Sequence, residues 1–404
     1  MAELKQTFLP IEVVLRIAFF IPIPNNLFSF IEALRPADLG GPLEHLWQLR
    51  LVKKYEELWP ILVITRHDLS LEQPHQASLA EYAKYCTRVR VNNVIDINWL
   101  DRLLPSTIQQ DWNINRLPSS QEFLDAWFKL KITSVCSYDF FAPRRLLQSL
   151  KYHHHLTSFT MTTQRVYMDE MLELVANSSQ LQRLRLMMPL RGPRDVMVTK
   201  SMLNNVIKWF RRQTVREFEF HKWNTQSVDM DIKQEFYETI FNCNSLEKLS
   251  IGHSVLGDID FSKLAFRMKS LDLQFCDLGV CSTTALSSRL IGSGVINLSL
   301  CGLDSSEDIL KLLEILPQTP IQVLNLKAIK ILYGEWKTFV DGLKTCQFDS
   351  LLFDLLGGVR LLAQGIRNKK PKLLLNVRSS RMSPGDAKNL VEYGRGIECS
   401  IDQE

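Results

Sequence analysis

Apolar residues recur along the chain in a short pattern, L-x-x-L-x-L, in which other apolar residues can replace leucine. Successive clear copies begin 22 to 34 residues apart. Clear copies begin at Leu156, Leu181, Val215, Leu246, Met268, Val295, Ile321 and Phe348, and weaker copies at Cys86, Ile132 and Lys372. Alternating apolar positions over so short a run suit a strand with one buried face. The pattern therefore predicts a series of short strands.

The segments between these strands have the spacing of amphipathic helices. In residues 304–317 the apolar residues fall at i, i+3, i+4 and i+7, and Asp304 and Glu307 have the spacing of a capping box. Helical spacing recurs from Met168 to Val175 and from Leu203 to Phe210. A single strand-turn-helix unit cannot bury both of its apolar faces, whereas a stack of such units can.

Two stretches carry a fuller motif. "LDLQFCDL" (Leu271 to Leu278) has Cys276 at the place usually held by Asn or Cys, and "LSLCGL" (Leu298 to Leu303) is a shortened copy. These residues resemble the leucine-rich-repeat family over residues 81–380. The resemblance implies an α/β fold, a curved solenoid with strands on one wall and helices on the other. An ordinary α/β domain with leucine-rich strands is the alternative.

The hydrophobic stretch at residues 9–34 does not fit a membrane span or a secretion signal. Its longest uncharged run has 15 residues, from Ile17 to Ile31, and is broken by Pro22 and Pro24, whereas a span needs about 20 apolar residues. Glu3 and Lys5 offset each other before it, and no small-residue cleavage site follows. We therefore expect a soluble, non-secreted protein of the cytoplasm or nucleus, without membrane association.

The same stretch predicts a helix that begins near Pro10 and ends before Pro22, followed by a second apolar helix over 27–34, a turn over 35–42 and the segment "LEHLWQLR" (43–50). Its apolar side chains lie on more than one face, which is more than a unit of about 40 residues can bury alone. The excess indicates a partner surface. A simple cap for the first repeat is the alternative.

These residues also resemble the F-box family, whose motif opens with Leu-Pro-x-Glu-Val and continues through an apolar helix, a proline-containing turn and a leucine. The resemblance implies a small all-α domain over residues 1–50 that binds the adaptor subunit of SCF-type ubiquitin ligases and, through it, the cullin scaffold. The predicted adaptor-binding residues are Leu9, Pro10, Ile11, Val14, Leu15, Ile17, Ala18, Ile21 and Leu27.

Charge is uneven along the repeats although the net charge is only +4. Residues 182–222 contain ten Lys or Arg and three acids, and several of these residues occupy strand positions that alternate away from the core. An acidic or phosphorylated peptide suits such arginines, whereas the lack of interleaved aromatic residues disfavours nucleic acid. A solvated face is the alternative. The predicted target-binding residues are Arg183, Arg185, Arg216, Glu217, Glu219, Lys248 and Asp272.

The sequence offers no catalytic constellation. The run His153–His155 lacks the spacing of metal ligands and is interpreted as a solvated loop, and the eight cysteines form no C-x-x-C pair, which favours reduced and mostly buried thiols. We expect no enzyme activity, no metal and no cofactor. The expected organisation is an F-box-like domain (1–50), a helical linker or cap (51–80), a solenoid (81–380) and a tail (381–404).

The combined resemblance implies a non-catalytic substrate-recognition subunit of an SCF-type ubiquitin ligase. The F-box-like segment would bind the adaptor, the repeats would bind a target protein, and partner subunits would transfer ubiquitin. A leucine-rich-repeat scaffold or inhibitor without a ligase role is the alternative.

Overall fold

The chain is described by a computed structural model over residues 10–34, 41–94, 96–118, 120–138, 143–162, 167–187, 196–303, 305–329, 331, 335–346, 349–355 and 374–377. The contacts within the chain divide it into two units, Met1–Thr162 and Thr163–Glu404. No helix among the described residues combines the length and apolar character that crossing a membrane requires.

The first unit begins with four helices: α1 (Ile11–Phe20), α2 (Pro24–Leu34), α3 (Gly41–Leu49) and α4 (Tyr55–Leu58). Leu27, Phe28 and Ile31 of α2 are buried, and the ring of Phe28 stacks on Tyr55 of α4 at 3.9 Å. The indole N–H of Trp59 donates to the carbonyl oxygen of Ile21 at 2.7 Å. These contacts join the ends of α1 and α4 and bury one face of α2.

Parallel strands alternate with helices in the rest of this unit. Its elements are β1 (Leu62–Thr65), α5 (Gln73–Ala83), β2 (Arg88–Asn92), α6 (Ile97–Leu103), β3 (Gln109–Ile114), α7 (Gln121–Trp127), β4 (Ile132–Ser137), α8 (Pro143–Leu150) and β5 (Ser158–Thr162). Each strand pairs in parallel with the next one along the chain.

The second unit repeats the same layout. Its elements are α9 (Met168–Asn177), β6 (Arg183–Met187), β7 (Val196–Met197), α10 (Lys200–Arg212), β8 (Glu217–His221), β9 (Trp223–Asn224), α11 (Met230–Phe241), β10 (Lys248–Gly252), β11 (Ser270–Gln274), α12 (Gly279–Leu290), β12 (Asn297–Cys301), α13 (Ser306–Ile315), β13 (Val323–Ile329), α14 (Trp336–Thr345), β14 (Ser350–Leu355) and β15 (Leu374–Val377). Strands β7 and β9 form a separate pair, and the others join in chain order.

The register of this sheet aligns the apolar positions of the repeat. Leu184, Phe218, Leu249, Leu271 and Leu298 face one another across successive strands and are buried. Helices cover this side of the sheet, since Trp209 and Phe210 of α10 contact the ring of Phe218 edge-on. The alternate positions of these strands lie on the opposite side, which we call the open face, and most of them are half-buried.

The predicted α/β fold, with parallel strands alternating with helices, is confirmed, and every copy of the repeat pattern contains a strand. Strands β1 and β3 were not predicted, and β1 lies inside the segment 51–80 that was expected to be a helical linker or cap. The N-cap of α13 is Ser305, whose hydroxyl accepts the N–H of Asp308. Asp304 and the tail 381–404 lie outside the described residues.

Candidate protein-binding surfaces

Helix α1 exposes apolar side chains along one side. Val13, Ile17 and Phe20 follow one another at helical spacing and are all exposed, and Ile23 extends the row beyond the helix end. Phe20 is 86% exposed and Ile23 is 52% exposed. We call these four residues the α1 surface. Such a row is unusual on a solvated helix, because exposed apolar side chains are normally scattered singly.

The predicted adaptor-binding residues divide between this surface and the interior. Val14, Ala18 and Leu27 are buried within the first unit, so as placed they stabilise the helices rather than face a partner. Ile17 and Pro10 are exposed, and Leu15 and Ile21 are half-buried. Leu9 lies outside the described residues, and the side chain of Ile11 is not described. Ile17 is thus the predicted residue that also belongs to the α1 surface.

The predicted target-binding residues line up on the open face of the second unit. The register places Arg183 beside Glu217 and Glu217 beside Lys248 in one row, and Arg185 beside Glu219 in the next row. Asp272 continues the second row two strands further. Arg216 is different, since it is exposed before β8 begins and its guanidinium pairs with Glu247 at 2.9 Å.

Most of these charges pair with one another. The guanidinium of Arg185 donates to Oε1 of Glu217 at 2.6 and 2.8 Å, and Nζ of Lys248 lies 3.4 Å from the same oxygen. Imidazole Nε2 of His221 lies 3.0 Å from Oε1 of Glu219. Arg183 makes no hydrogen bond or ion pair with the described residues. Of the arginines predicted to hold an acidic target, Arg183 is therefore the one whose guanidinium has no described partner.

The environment of Glu219 favours its charged form. Burial raises the pKa of this carboxyl, but the hydrogen bond from His221 and the charges of His221, Arg185 and Lys248 together outweigh burial and hold the pKa below its usual value. The carboxylate is thus ionised at neutral pH. The centre of the open face is consequently a paired and nearly neutral network rather than a basic patch.

A second polar group lies at Asp272. Its Oδ2 accepts hydrogen bonds from Gln274 Nε2 at 2.7 Å and from the Ser250 hydroxyl at 3.3 Å. Its Oδ1 is buried and has no hydrogen-bond partner in the structure. A buried carboxylate oxygen without a partner is uncommon, since buried polar atoms are normally hydrogen-bonded.

An aromatic ledge, formed by His253 and Phe275, borders this face and was missed in the sequence. The rings are parallel to within 12° with centroids 5.0 Å apart, and Phe275 is 48% exposed. Both residues have positive φ, and the Phe275 ring lies against the α-carbon of Gly302. A bulky residue held at positive φ is uncommon. The sequence signal was a phenylalanine at a variable repeat position.

The histidine run and the two cysteines of raised pKa, Cys86 and Cys276, do not form a reactive arrangement with the described residues. His153 is buried against the ring of Trp127 at 4.3 Å, which contradicts the prediction of a solvated position, while His154 and His155 are exposed. Burial raises the pKa of the Cys86 and Cys276 thiols to about 12, so both stay protonated. Among the described residues, no three His, Cys, Asp or Glu side chains come together as a metal site would require.

No protein-family model matches the chain, and no curated protein matches its sequence at a significant level. Among solved structures, the chain is similar to a leucine-rich-repeat protein of Leptospira interrogans. The two share 11% sequence identity with a TM-score of 0.34, and the match covers 82% of this chain and 92% of that protein.

Proposed function

We propose that the chain is a non-catalytic substrate-recognition subunit of an SCF-type ubiquitin ligase. In this proposal the α1 surface binds the adaptor and, through it, the cullin scaffold. The open face of the second unit binds the target protein, and partner subunits transfer ubiquitin. The proposal joins the F-box-like and repeat-like sequence patterns to two separate surfaces on the described residues.

The observation that carries the proposal is that helix α1 has two apolar stripes, one buried and one exposed. Its inner stripe, with Val14 and Ala18, is already buried, so the helix is packed without help from Val13, Ile17 and Phe20. A helix that served only to cap the strands would gain from polar residues at those exposed positions. The exposed row supports a role in binding another protein through an apolar helix face.

The open face supports recognition of an extended peptide. Arg183, at the start of β6, offers a guanidinium without a partner among the described residues. The ledge of His253 and Phe275, which follow β10 and β11, offers aromatic surface. An acidic or phosphorylated residue would suit Arg183, and an apolar side chain would suit the ledge. Arg185 of β6 and Glu219 of β8 form an ion pair with each other, with Nε of Arg185 at 3.7 Å from Oε2 of Glu219.

The test is capture of the purified SCF adaptor by the intact chain. We expect the wild-type chain to bind, and the double variant Ile17→Asp, Phe20→Asp to lose at least about 100-fold in affinity, because two charges would enter an apolar contact. Tyr85→Asp is the matched control, since Tyr85 is also an exposed large side chain of the first unit and belongs to the turn after α5 rather than to α1. Its affinity should match that of the wild type.

A leucine-rich-repeat scaffold or inhibitor is the second candidate function. The burial of Val14, Ala18 and Leu27 favours it, because these residues stabilise the first unit as a cap would. A wild-type chain that fails to capture the adaptor while remaining folded would support this function and reject the ligase role. Equal loss of binding in the double variant and in Tyr85→Asp would also count against the α1 surface.

A further inference from the structure

A cavity of about 310 Å³ lies in the first unit beside the carboxyl ends of β2 and β3. Asn93 and Val94 enter its lining directly after β2, and Asn115 and Arg116 enter it directly after β3. In open α/β sheets, ligands bind in crevices outside the carboxyl ends of the strands. The cavity lies at that edge of the sheet, and its lining residues belong to neither of the surfaces described above.

The floor of the cavity is apolar. Trp112, Ile114, Leu117 and Phe123 line it and are each buried in the unit. Small-molecule sites typically have volumes of about 300–1,000 Å³ and combine apolar walls with a few polar groups. This floor has room for one aromatic ring or a short branched aliphatic group.

Two arginines, Arg66 and Arg116, line the same cavity. Both are exposed, and neither makes a hydrogen bond or ion pair with the described residues. No acidic residue is among the described residues that line the cavity. Guanidinium groups bind phosphate and carboxylate through paired N–H donors. Two exposed guanidiniums without a carboxylate partner among the described residues are available to a negatively charged ligand.

The backbone that carries Arg66 is fixed by a buried ion pair. Arg66 opens a 3₁₀ helix whose capping residue, Thr65, donates its N–H to Oδ2 of Asp68 at 2.7 Å. Asp68 in turn accepts two hydrogen bonds from Nζ of Lys53, at 2.7 and 2.8 Å, and both side chains are buried. Loss of either partner would leave a buried charge uncompensated, so this turn is held firmly.

The loop that carries Arg116 is fixed by an asparagine. Asn93 has φ of 52°, its N–H donates to the carbonyl oxygen of Asn113 at 3.0 Å, and its Oδ1 accepts the N–H of Asn115 at 2.7 Å. Asn93 thus links the end of β2 to the residue before Arg116. Both arginines therefore start from backbone positions that are ordered before any ligand arrives, which reduces the entropy cost of binding.

We propose that this cavity binds a phosphate monoester whose organic group is a single aromatic ring or a branched aliphatic chain. The guanidiniums of Arg66 and Arg116 hold the phosphate, which carries about −1.5 to −2 charges at neutral pH. The organic group is buried against Trp112 and Phe123. Such an ester can be a free small molecule or the phosphorylated side chain of a protein, and the chemistry of the site is the same for both.

The experiment is isothermal titration calorimetry of the full chain with phenyl phosphate, inorganic phosphate and phenol. We expect phenyl phosphate to bind at least about tenfold more tightly than either of the other probes, because it alone engages both the arginines and the apolar floor. Arg66→Gln and Arg116→Gln should each weaken its binding at least about tenfold. The matched control Arg102→Gln removes an exposed arginine of α6 that does not line the cavity, and its affinity should stay unchanged.

Three results would overturn the proposal. These are no detectable binding of phenyl phosphate, equal binding of inorganic phosphate, and an equal loss of affinity in Arg102→Gln. Circular dichroism checks that each variant is folded, and Arg66→Lys with Arg116→Lys provides a second pair that keeps charge but removes the paired donors. A phosphotyrosine peptide distinguishes the sources: tighter binding than phenyl phosphate supports a phosphorylated protein, and weaker binding supports a small molecule.

Discussion

At the scale of single residues, His153 is a buried polar group without hydrogen-bond partners. Neither ring nitrogen is paired in the structure, and the imidazole packs against Trp127 and Phe128. Burial, with a smaller contribution from His154, lowers its pKa to about 4. The folded unit therefore holds His153 neutral at pH values where the unfolded chain binds a proton.

This difference predicts an acid-sensitive contribution to stability. The folded pKa of His153 is about 4, and the usual histidine pKa is 6.5. Between these values the unfolded chain binds a proton that the folded chain does not, so the free energy of unfolding falls as the pH falls from 6.5 to 4. Between pH 7 and pH 4, we expect the free energy of unfolding of His153→Leu to fall by on the order of 2 to 3 kcal/mol less than that of the wild type. Urea unfolding at several pH values measures the slope.

The control for this prediction is His155→Gln, which changes an exposed histidine of the same run. Its stability should follow the wild-type pH dependence. An unchanged slope in His153→Leu would mean that His153 is accessible to protons in the folded chain.

At the scale of elements, successive strands of the second unit end in residues with positive φ. Lys222, His253, Phe275 and Gly302 follow β8, β10, β11 and β12. The N–H groups of the first three donate to the carbonyl oxygen of the last residue in the neighbouring strand, and that of Gly302 donates to the carbonyl oxygen of Lys327 within β13. The strands are thus extended by one more hydrogen bond before the chain turns. Gly302 has a second role, because a β-carbon at this residue would overlap the ring of Phe275.

We predict that Gly302→Ala destabilises the chain more than Gly292→Ala. Both glycines have positive φ, 78° and 71°, but a β-carbon at Gly292 would meet no atom within 4 Å. Backbone strain of about 1 kcal/mol or more is therefore common to both variants, and only Gly302→Ala also displaces Phe275. Chemical denaturation measures the difference.

The double variant Phe275→Ala, Gly302→Ala tests the cause of that difference. Removal of the ring should reduce the effect of Gly302→Ala to that of Gly292→Ala. Equal destabilisation by the two single glycine variants would show that the ledge does not depend on Gly302.

Some of these elements could be predicted from the sequence and others could not. Strands with alternating leucines were predicted because burial of one face leaves an alternating pattern in the sequence. Strand β3 was not predicted, because it contains the buried polar residues Gln110 and Asp111. Gln110 accepts a hydrogen bond from Trp112 Nε1 and Asp111 pairs with Arg88, and the spacing of residues in the sequence does not show such partners. Likewise, hydrophobicity located α1 but could not distinguish its buried stripe from its exposed one, because both are apolar.

At the scale of the whole molecule, each repeat depends on the next for burial. The ring of Phe241 at the end of α11 packs on Phe266 at 4.8 Å, and β8 pairs along its full length with β10. The repeat formed by β8 and α11 therefore completes its core with the next repeat.

We expect a fragment that ends after residue 242 to aggregate. The cut removes β10 and Phe266, so the edge of β8 and the side chain of Phe241 become exposed together. Size-exclusion chromatography with light scattering, compared with the intact chain, measures the association state. A monomeric fragment with cooperative unfolding would contradict this dependence and indicate a domain boundary near residue 242.

The strand-ending residues with positive φ also bear on how such a protein can acquire new partners. At positions 222, 253 and 275 the hydrogen bond to the neighbouring strand uses the backbone, and the side chain takes no part in it. Selection can therefore exchange a lysine, a histidine or a phenylalanine there while the strands keep their register. Substitution at one repeat is nevertheless felt at the next, because the rings of His253 and Phe275 stack and the ring of Phe275 lies against Gly302.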